Sequence, residues 1–290
     1  METAKIAMSI SGEKKYQVRA RAALPILVRQ AHAGSTISYT DLAAELEMQN
    51  PRNLNFVLGS VGQALKDLSI QWGLDVPPIQ CLVINKESGL PGEGVGWFIS
   101  DKVGPWGSAA DYRKLPKANQ RRLVEAALQM VFTFTRWFEV LQVLGVELPR
   151  FDYNDIVLQA SNFRSGPESE EHLRLKEYVA RNPQLLGLSG QLIGEIEFSL
   201  PSGDTADVLF RKRSEWVAAE VKSRISTKAD IVRGLFQCVK YRAVMEAFQV
   251  SSGLPQGARS VLVLQAEFPN QLVPLKNILG LDVVDCVEPR

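Results

Sequence analysis

Hydrophobic and polar positions alternate with two different periods along this chain, and the change of period divides it. In the stretch 53–73, Phe56, Val57, Val61, Leu65 and Leu68 recur three and four residues apart, the spacing of a helix with one buried face. Residues 16–32 share that pattern, with Pro25 near the middle as a candidate break. Between them, ISYTDLAAEL offers Ser38 or Thr40 as the cap of a helix beginning at Asp41. IQCLVINK (79–86) is strand-like, and LPGEGVGWFI (90–99) is turn-like and then strand-like. Helix, turn, helix and two short strands is the order of a winged helix. Residues 116–144 form one long helical stretch. It opens with Lys117, Arg121 and Arg122 and turns apolar through Val131, Phe134, Trp137, Phe138 and Leu141.

ELPRFDYND then breaks the pattern, and SNFRSGPESEE, with Gly166 and Pro167, is the best linker. The domain boundary is expected near 160, giving domains 1–160 and 161–290. Beyond it, helical and period-two segments alternate. Residues 168–182 are helical and end at Asn182-Pro183. LIGEIEFSL, TADVLFRK and SEWVAAEVKS are strands, with PSGD turning between the first two. A helix over 227–250 is followed by the strand SVLVLQA, the helix PNQLVPLKNILG and the strand LDVVDCV. The expected fold class is therefore α/β: a C-terminal domain with a mixed sheet flanked by helices, preceded by a mainly helical, winged-helix-like domain.

Composition narrows the chemistry. The chain has 290 residues, 46% of them hydrophobic and 22% charged, as soluble globular proteins do. Its net charge of +1 makes no global case for nucleic acid, so any basic surface must be local. No run approaches the roughly 18 apolar residues of a membrane span. The start, METAKIAMSISGEKK, lacks a long apolar core followed by a cleavage site, so no secretion signal is expected. Cys81, Cys238 and Cys286 are scattered without a CxxC, which points to reduced thiols and a cytoplasmic protein. With only His32 and His172, a histidine-rich metal site and an HNH-type nuclease are disfavoured. There is no P-loop, and PGEGVG reads as a turn.

One stretch stands out chemically. In AAEVKS (218–223) an apolar strand carries Glu220 and Lys222 two residues apart, hence on one face. Charges so placed are costly unless paired or bound to a metal. Thirteen residues earlier lies Asp207, in TADVLF. Alternation puts Asp207 and Leu209 on one face and Val208 and Phe210 on the other. The hairpin through RKRS can set Asp207 beside Glu220, since neighbouring strands lie about 4.8 Å apart. Two close carboxylates repel until a divalent cation binds between them. An all-oxygen site with open water positions suits Mg²⁺ or Mn²⁺. On the following helix Gln237 and Tyr241 share a face, with Arg233 one turn earlier. The helix before the strands, SEEHLRLKEYVARNP, carries acids at its start. Glu171 is the favoured one to look into the same cleft, with Glu168 next and Glu177 expected to face solvent.

This order of an acid-bearing helix, a strand with Asp, a strand with Glu-x-Lys and a helix with Gln-x-x-x-Tyr resembles the PD-(D/E)XK nuclease superfamily, in the branch that carries the glutamine–tyrosine helix. The resemblance covers about residues 168–286. Ala206 stands where the family has its Pro. The resemblance implies a restriction-endonuclease-like fold and Mg²⁺- or Mn²⁺-dependent hydrolysis of DNA phosphodiesters, endo- or exonucleolytic. Asp207, Glu220 and the carbonyl of Val221 would hold the metal. Lys222 would orient the attacking water or stabilise the charge that develops. Gln237, Tyr241 and Glu171 would complete the site. In the first half, YTDLAAEL, VGQAL and QCLVIN resemble the DNA-binding domain of alkyltransferases and alkyltransferase-like proteins over about residues 36–84. Gly59 stands where that family has its base-levering Arg, and QCLV replaces PCHR. The resemblance therefore implies a DNA-binding scaffold and no alkyl transfer, with Cys81 a buried strand cysteine. Arg52, Lys66, Lys114, Lys117, Arg121 and Arg122 are candidate phosphate contacts. DNA is the expected partner and no membrane is expected. The oligomeric state stays open, a dimer included. The alternative is a non-catalytic nucleic-acid-binding or protein-interaction module on the same fold.

Overall fold

The structure is a computed structural model of the chain. It describes residues 7–99, 112, 114–148, 153–162, 169–212, 215–254 and 257–289. The chain divides into two compact units, Met1–Arg150 and Phe151–Arg290. That division falls ahead of the expected boundary at 160. The reason is a short helix, Asn154–Asn162, whose Ile156, Val157 and Ala160 pack into the core of the second unit. The expected linker residues Gly166 and Pro167 lie outside the described residues.

In the first unit, α1 (Lys15–Ala33) runs through Pro25 without a break. The residues around the proline, Leu24, Ile26, Leu27 and Val28, are buried and hold the helix in place. Gly34 ends it in a left-handed conformation, φ 63°, with its N–H donated to the Ala31 carbonyl and the Ser35 N–H to that of Gln30. β1 (Ile37–Ser38) leads into α2 (Tyr39–Glu45). Ser38 caps α2 by accepting the Asp41 N–H at 3.0 Å, so the helix begins two residues before Asp41. α3 (Leu54–Trp72) presents Val57, Val61, Leu65 and Leu68 to the core, while Phe56 is exposed.

The expected wing is different. Of the strand-like IQCLVINK, Ile79–Leu82 forms a 3-10 turn and only β2 (Val83–Ile84) is extended. β2 pairs in parallel with β1, which precedes α2. GWFI is not a strand but a single helical turn, α4 (Gly96–Ile99). The turn packs closely at its start, where a Cβ on Gly96 would lie 2.8 Å from Tyr112 Cβ. The long helix expected over 116–144 is two helices, α5 (Lys117–Thr133) and α6 (Trp137–Val143), parted where Phe134 turns extended. The buried Trp137 indole bridges the break by donating to the Val131 carbonyl at 2.9 Å. One apolar core joins these helices.

The second unit starts with α7 (Asn154–Asn162) and α8 (Glu170–Arg181). Five strands follow: β3 (Glu195–Ser199), β4 (Thr205–Arg211), β5 (Trp216–Lys222), β6 (Ala258–Leu264) and β7 (Asp282–Val284), lying in that spatial order. β3, β4 and β5 form an antiparallel meander, whereas β5, β6 and β7 are parallel. The switch follows from the connection, since β5 reaches β6 only through α9 (Lys228–Ser251). A short helix, α10 (Val273–Ile278), joins β6 to β7. One face of the sheet packs Val208, Phe210, Val217, Ala219 and Val221 against Leu175 and Val179 of α8. The other face packs against α9, through Leu235 and Cys238 on Leu262 and through Tyr241 and Met245 on Leu209 and Ala218. The unit is a three-layered α/β structure with a mixed sheet. Among the described residues no helix is long and apolar enough to cross a membrane.

Candidate active site

β5 carries Glu220 into the interior, where the residue is only 3% exposed. Its two carboxylate oxygens have separate donors. Lys222 Nζ lies 2.6 Å from Oε1, and the Tyr241 hydroxyl donates to Oε2 at 2.9 Å. The same phenol oxygen lies 2.8 Å from the Thr205 carbonyl, so Tyr241 ties the start of β4 to the middle of the site. The spacing of Glu220 and Lys222 along the strand thus does place both on one side, facing α9.

Asp207 sits where β4 departs from regular alternation. Val208 and Phe210 face α8, as alternation requires, but Ala206 joins Leu209 in the cluster on the α9 side. The break falls at Asp207. There the β4–β5 ladder ends at Val208↔Ala219, and Asp207 Oδ2 takes the next N–H, that of Val221, at 2.8 Å. A side chain thereby replaces a ladder carbonyl, and the carboxylate is held at the point where the two strands separate. On the other side of β4, Glu197 is bracketed by the pairs Ile196↔Val208 and Phe198↔Ala206, which sets it opposite Asp207. Glu197 has φ 54°, and its carboxylate lies 2.8 Å from the buried Lys176 ammonium of α8.

The residue of α8 that faces Asp207 is not Glu171. His172 Nε2 lies 3.8 Å from Asp207 Oδ1, whereas Glu171 is exposed. The periodicity of α8 explains the exchange. His172 stands three, four and seven residues before the buried Leu175, Lys176 and Val179, in the middle of the inward face. Glu171 lies a helical step of about 100° away, on the border of that face. Glu177 is half-buried and pairs with Arg181, and Glu168 lies outside the described residues. The sequence contained this signal in the apolar spacing of α8.

The helix residues of the site share one face of α9. Tyr241 touches Glu220 directly, and Gly234 backs Lys222 and Glu220 from one turn before Gln237. Gln237 stands between them, and its amide oxygen is buried without a hydrogen-bond partner. Arg233 is half-buried.

The electrostatics separate the two acids. Burial raises the Glu220 carboxyl, and the charge of Asp207 raises it further; Lys222 and Tyr241 only partly offset this. Burial pushes Asp207 upward too, but His172, the Val221 N–H and Lys222 outweigh it and hold that carboxyl below its usual range. Burial, followed by the charge of Glu220, pushes the Tyr241 phenol far up, so it stays a donor. Among the described residues no group of three or more His, Cys, Asp or Glu side chains is arranged to hold a metal ion. The donors at hand are Asp207, Glu220 and the Val221 carbonyl, with His172 beside Asp207.

In the first unit, burial pushes the Cys81 thiol up to about 12, so it is inert as a nucleophile, and it lies in a 3-10 turn instead of a strand. Gly59 is buried within α3. Arg52, Lys66, Lys114, Lys117, Arg121 and Arg122 are exposed, and the Lys66 ammonium lies 5.9 Å from the centre of the Trp97 ring. No family model, curated protein or solved structure matches this chain.

Proposed function

We propose that the chain is a divalent-metal-dependent nuclease of the PD-(D/E)XK type, acting on DNA. Its second unit would be the restriction-endonuclease-like catalytic domain, and its first a mainly helical, winged-helix-like DNA-reading module. The observation that carries this reading is the meeting of Asp207, Glu220 and Lys222 where β4 and β5 part, with Tyr241 and Gln237 behind them on one helix face. Two neighbouring carboxylates, one raised by burial and then by the charge of the other, and the other held low by His172, the Val221 N–H and Lys222, suit a site awaiting a hard cation. An orphaned amide oxygen suits the same picture, because a buried acceptor without a partner is costly unless something else satisfies it.

Asp207, Glu220 and the Val221 carbonyl would hold the ion, with His172 able to add a nitrogen in place of the expected Glu171. Bound Mg²⁺ or Mn²⁺ would polarise the scissile phosphate and lower the pKa of an attacking water. Lys222 carries a compact charge with three donors, enough to remain near Glu220 while orienting that water or countering charge on the phosphate. Tyr241 holds Glu220 in place from behind. Gln237 would orient the ion's shell or a phosphate.

A time course with single-stranded, double-stranded and branched DNA, and with RNA, tests the reading. Cleavage of DNA is expected with Mg²⁺ or Mn²⁺ and none with EDTA. The second reading is a non-catalytic nucleic-acid-binding or protein-interaction module. It draws on the internal satisfaction of the site, in which both Glu220 oxygens and one of Asp207 already have protein donors. DNA binding without cleavage under every metal condition would establish it.

A further inference from the structure

Gly234 is a glycine that helix geometry does not ask for. It lies inside α9, where alanine is the better helix former, and it does not have the positive φ that favours glycine. Space accounts for it. A Cβ built on Gly234 would lie 2.8 Å from Leu262 Cδ1, 3.1 Å from Lys222 Cε and 3.5 Å from Glu220 Cγ. Two of those three neighbours belong to the acid–lysine pair of the candidate site. The lysine is the tighter of the two, and the contact is to the carbon that carries its ammonium. The bare backbone of α9 is thus the wall along which the end of the Lys222 side chain lies, with Nζ 2.6 Å from Glu220 Oε1.

We propose that Gly234 is a positioning residue for Lys222: its missing side chain is the berth that sets the lysine ammonium against Glu220. Lysine has four rotatable stem bonds and little orientation of its own, so a site that needs its charge at one point must wall in the stem. A methyl at 234 moves the ammonium off that point while leaving the Asp207 side chain and the Tyr241 contact to Glu220 in place. The activity part of this inference rests on the nuclease reading; the placement of Lys222 does not.

The test is Gly234→Ala, read in two ways. In kinetics, kcat should fall about 10²-fold, within the range for loss of one electrostatic donor, with KM nearly unchanged. Lys222→Ala added to Gly234→Ala should cost little more than Lys222→Ala alone, because both act through one ammonium. Additive losses would overturn the proposal, since Gly234 would then act through packing. The second readout needs no activity. With ¹³C-labelled lysine in the metal-free full-length protein, the Lys222 Cε signal, assigned by its loss in Lys222→Arg, should move toward that of solvent-exposed lysines in Gly234→Ala. An unmoved signal in a folded variant overturns the proposal. If Gly234→Ala does not fold, Gly234→Ala with Leu262→Ala removes the other close contact and the same signal is read there. If wild type cuts nothing, the nuclease reading falls, and the lysine signal still decides the role of Gly234.

Discussion

Glu220 is a carboxylate for which the fold prefers the neutral form, and its stability effect has a definite sign. Its folded pKa is raised, chiefly by burial and then by Asp207. A raised folded pKa means that the group's contribution is fully present below the unfolded value of about 4.3 and is lost as pH rises through the folded value. In EDTA, Glu220→Gln should therefore melt higher than wild type at pH 7, and the gain should vanish below about pH 4. Melting curves across that range check this; a lower Tm at pH 7 would show that the Lys222 pairing outweighs the burial. Lys222→Ala should slow cleavage by about 10²–10³ and leave folding and DNA affinity nearly intact, since the lysine acts mainly in the transition state. Asp207→Ala should stop cleavage through loss of the ion. The upward shift of the melt by Mg²⁺ should survive Lys222→Ala and vanish in Asp207→Ala.

At the scale of elements, the site depends on how α9 is started and how it faces β5. Thr227 caps the helix, with its hydroxyl accepting the Asp230 N–H while Asp230 accepts the Thr227 N–H. Thr227→Ala should cost about 1 kcal/mol, measurable by denaturant unfolding, and it should fray the end of α9 nearest β5 before the rest. Hydrogen exchange that speeds up first in residues 228–231 checks the second part. The extents of α8, α9 and the three meander strands were legible in sequence, that of α8 because an amphipathic helix writes its own face into its spacing. GWFI was not legible. Four residues with two apolar aromatics suit a strand end or a helical turn equally, and their spacing does not decide between them. The break at Phe134 was hidden for a similar reason, since the apolar residues continue at helical spacing on both sides of it.

At the scale of the whole molecule, each unit has its own apolar core, the first running from α1 to α6 and the second on both faces of the five-stranded sheet. A fragment of residues 151–290 should therefore fold alone, with a cooperative melt and Mg²⁺-dependent cleavage, but with weaker DNA affinity than the full chain. A fragment beginning at 161 should be less stable, because it lacks Ile156, Val157 and Ala160 from the core on the α9 side. Equal melting temperatures for the two fragments would show that α7 contributes nothing to that core. The sequence by itself determined the α/β class, the order of elements in the second half and the placing of Glu220 and Lys222 on one face of a strand, all of which rest on spacings of a few residues. Only the tertiary structure decided that Asp207 sits at a break in β4, that β1 pairs with β2 and that Gly234 lies against the Lys222 side chain. It decided as well that one acid titrates up and the other down. Each of these depends on groups far apart in the chain, whose register, burial and charge do not exist until the layers pack, and local periodicity carries no record of them.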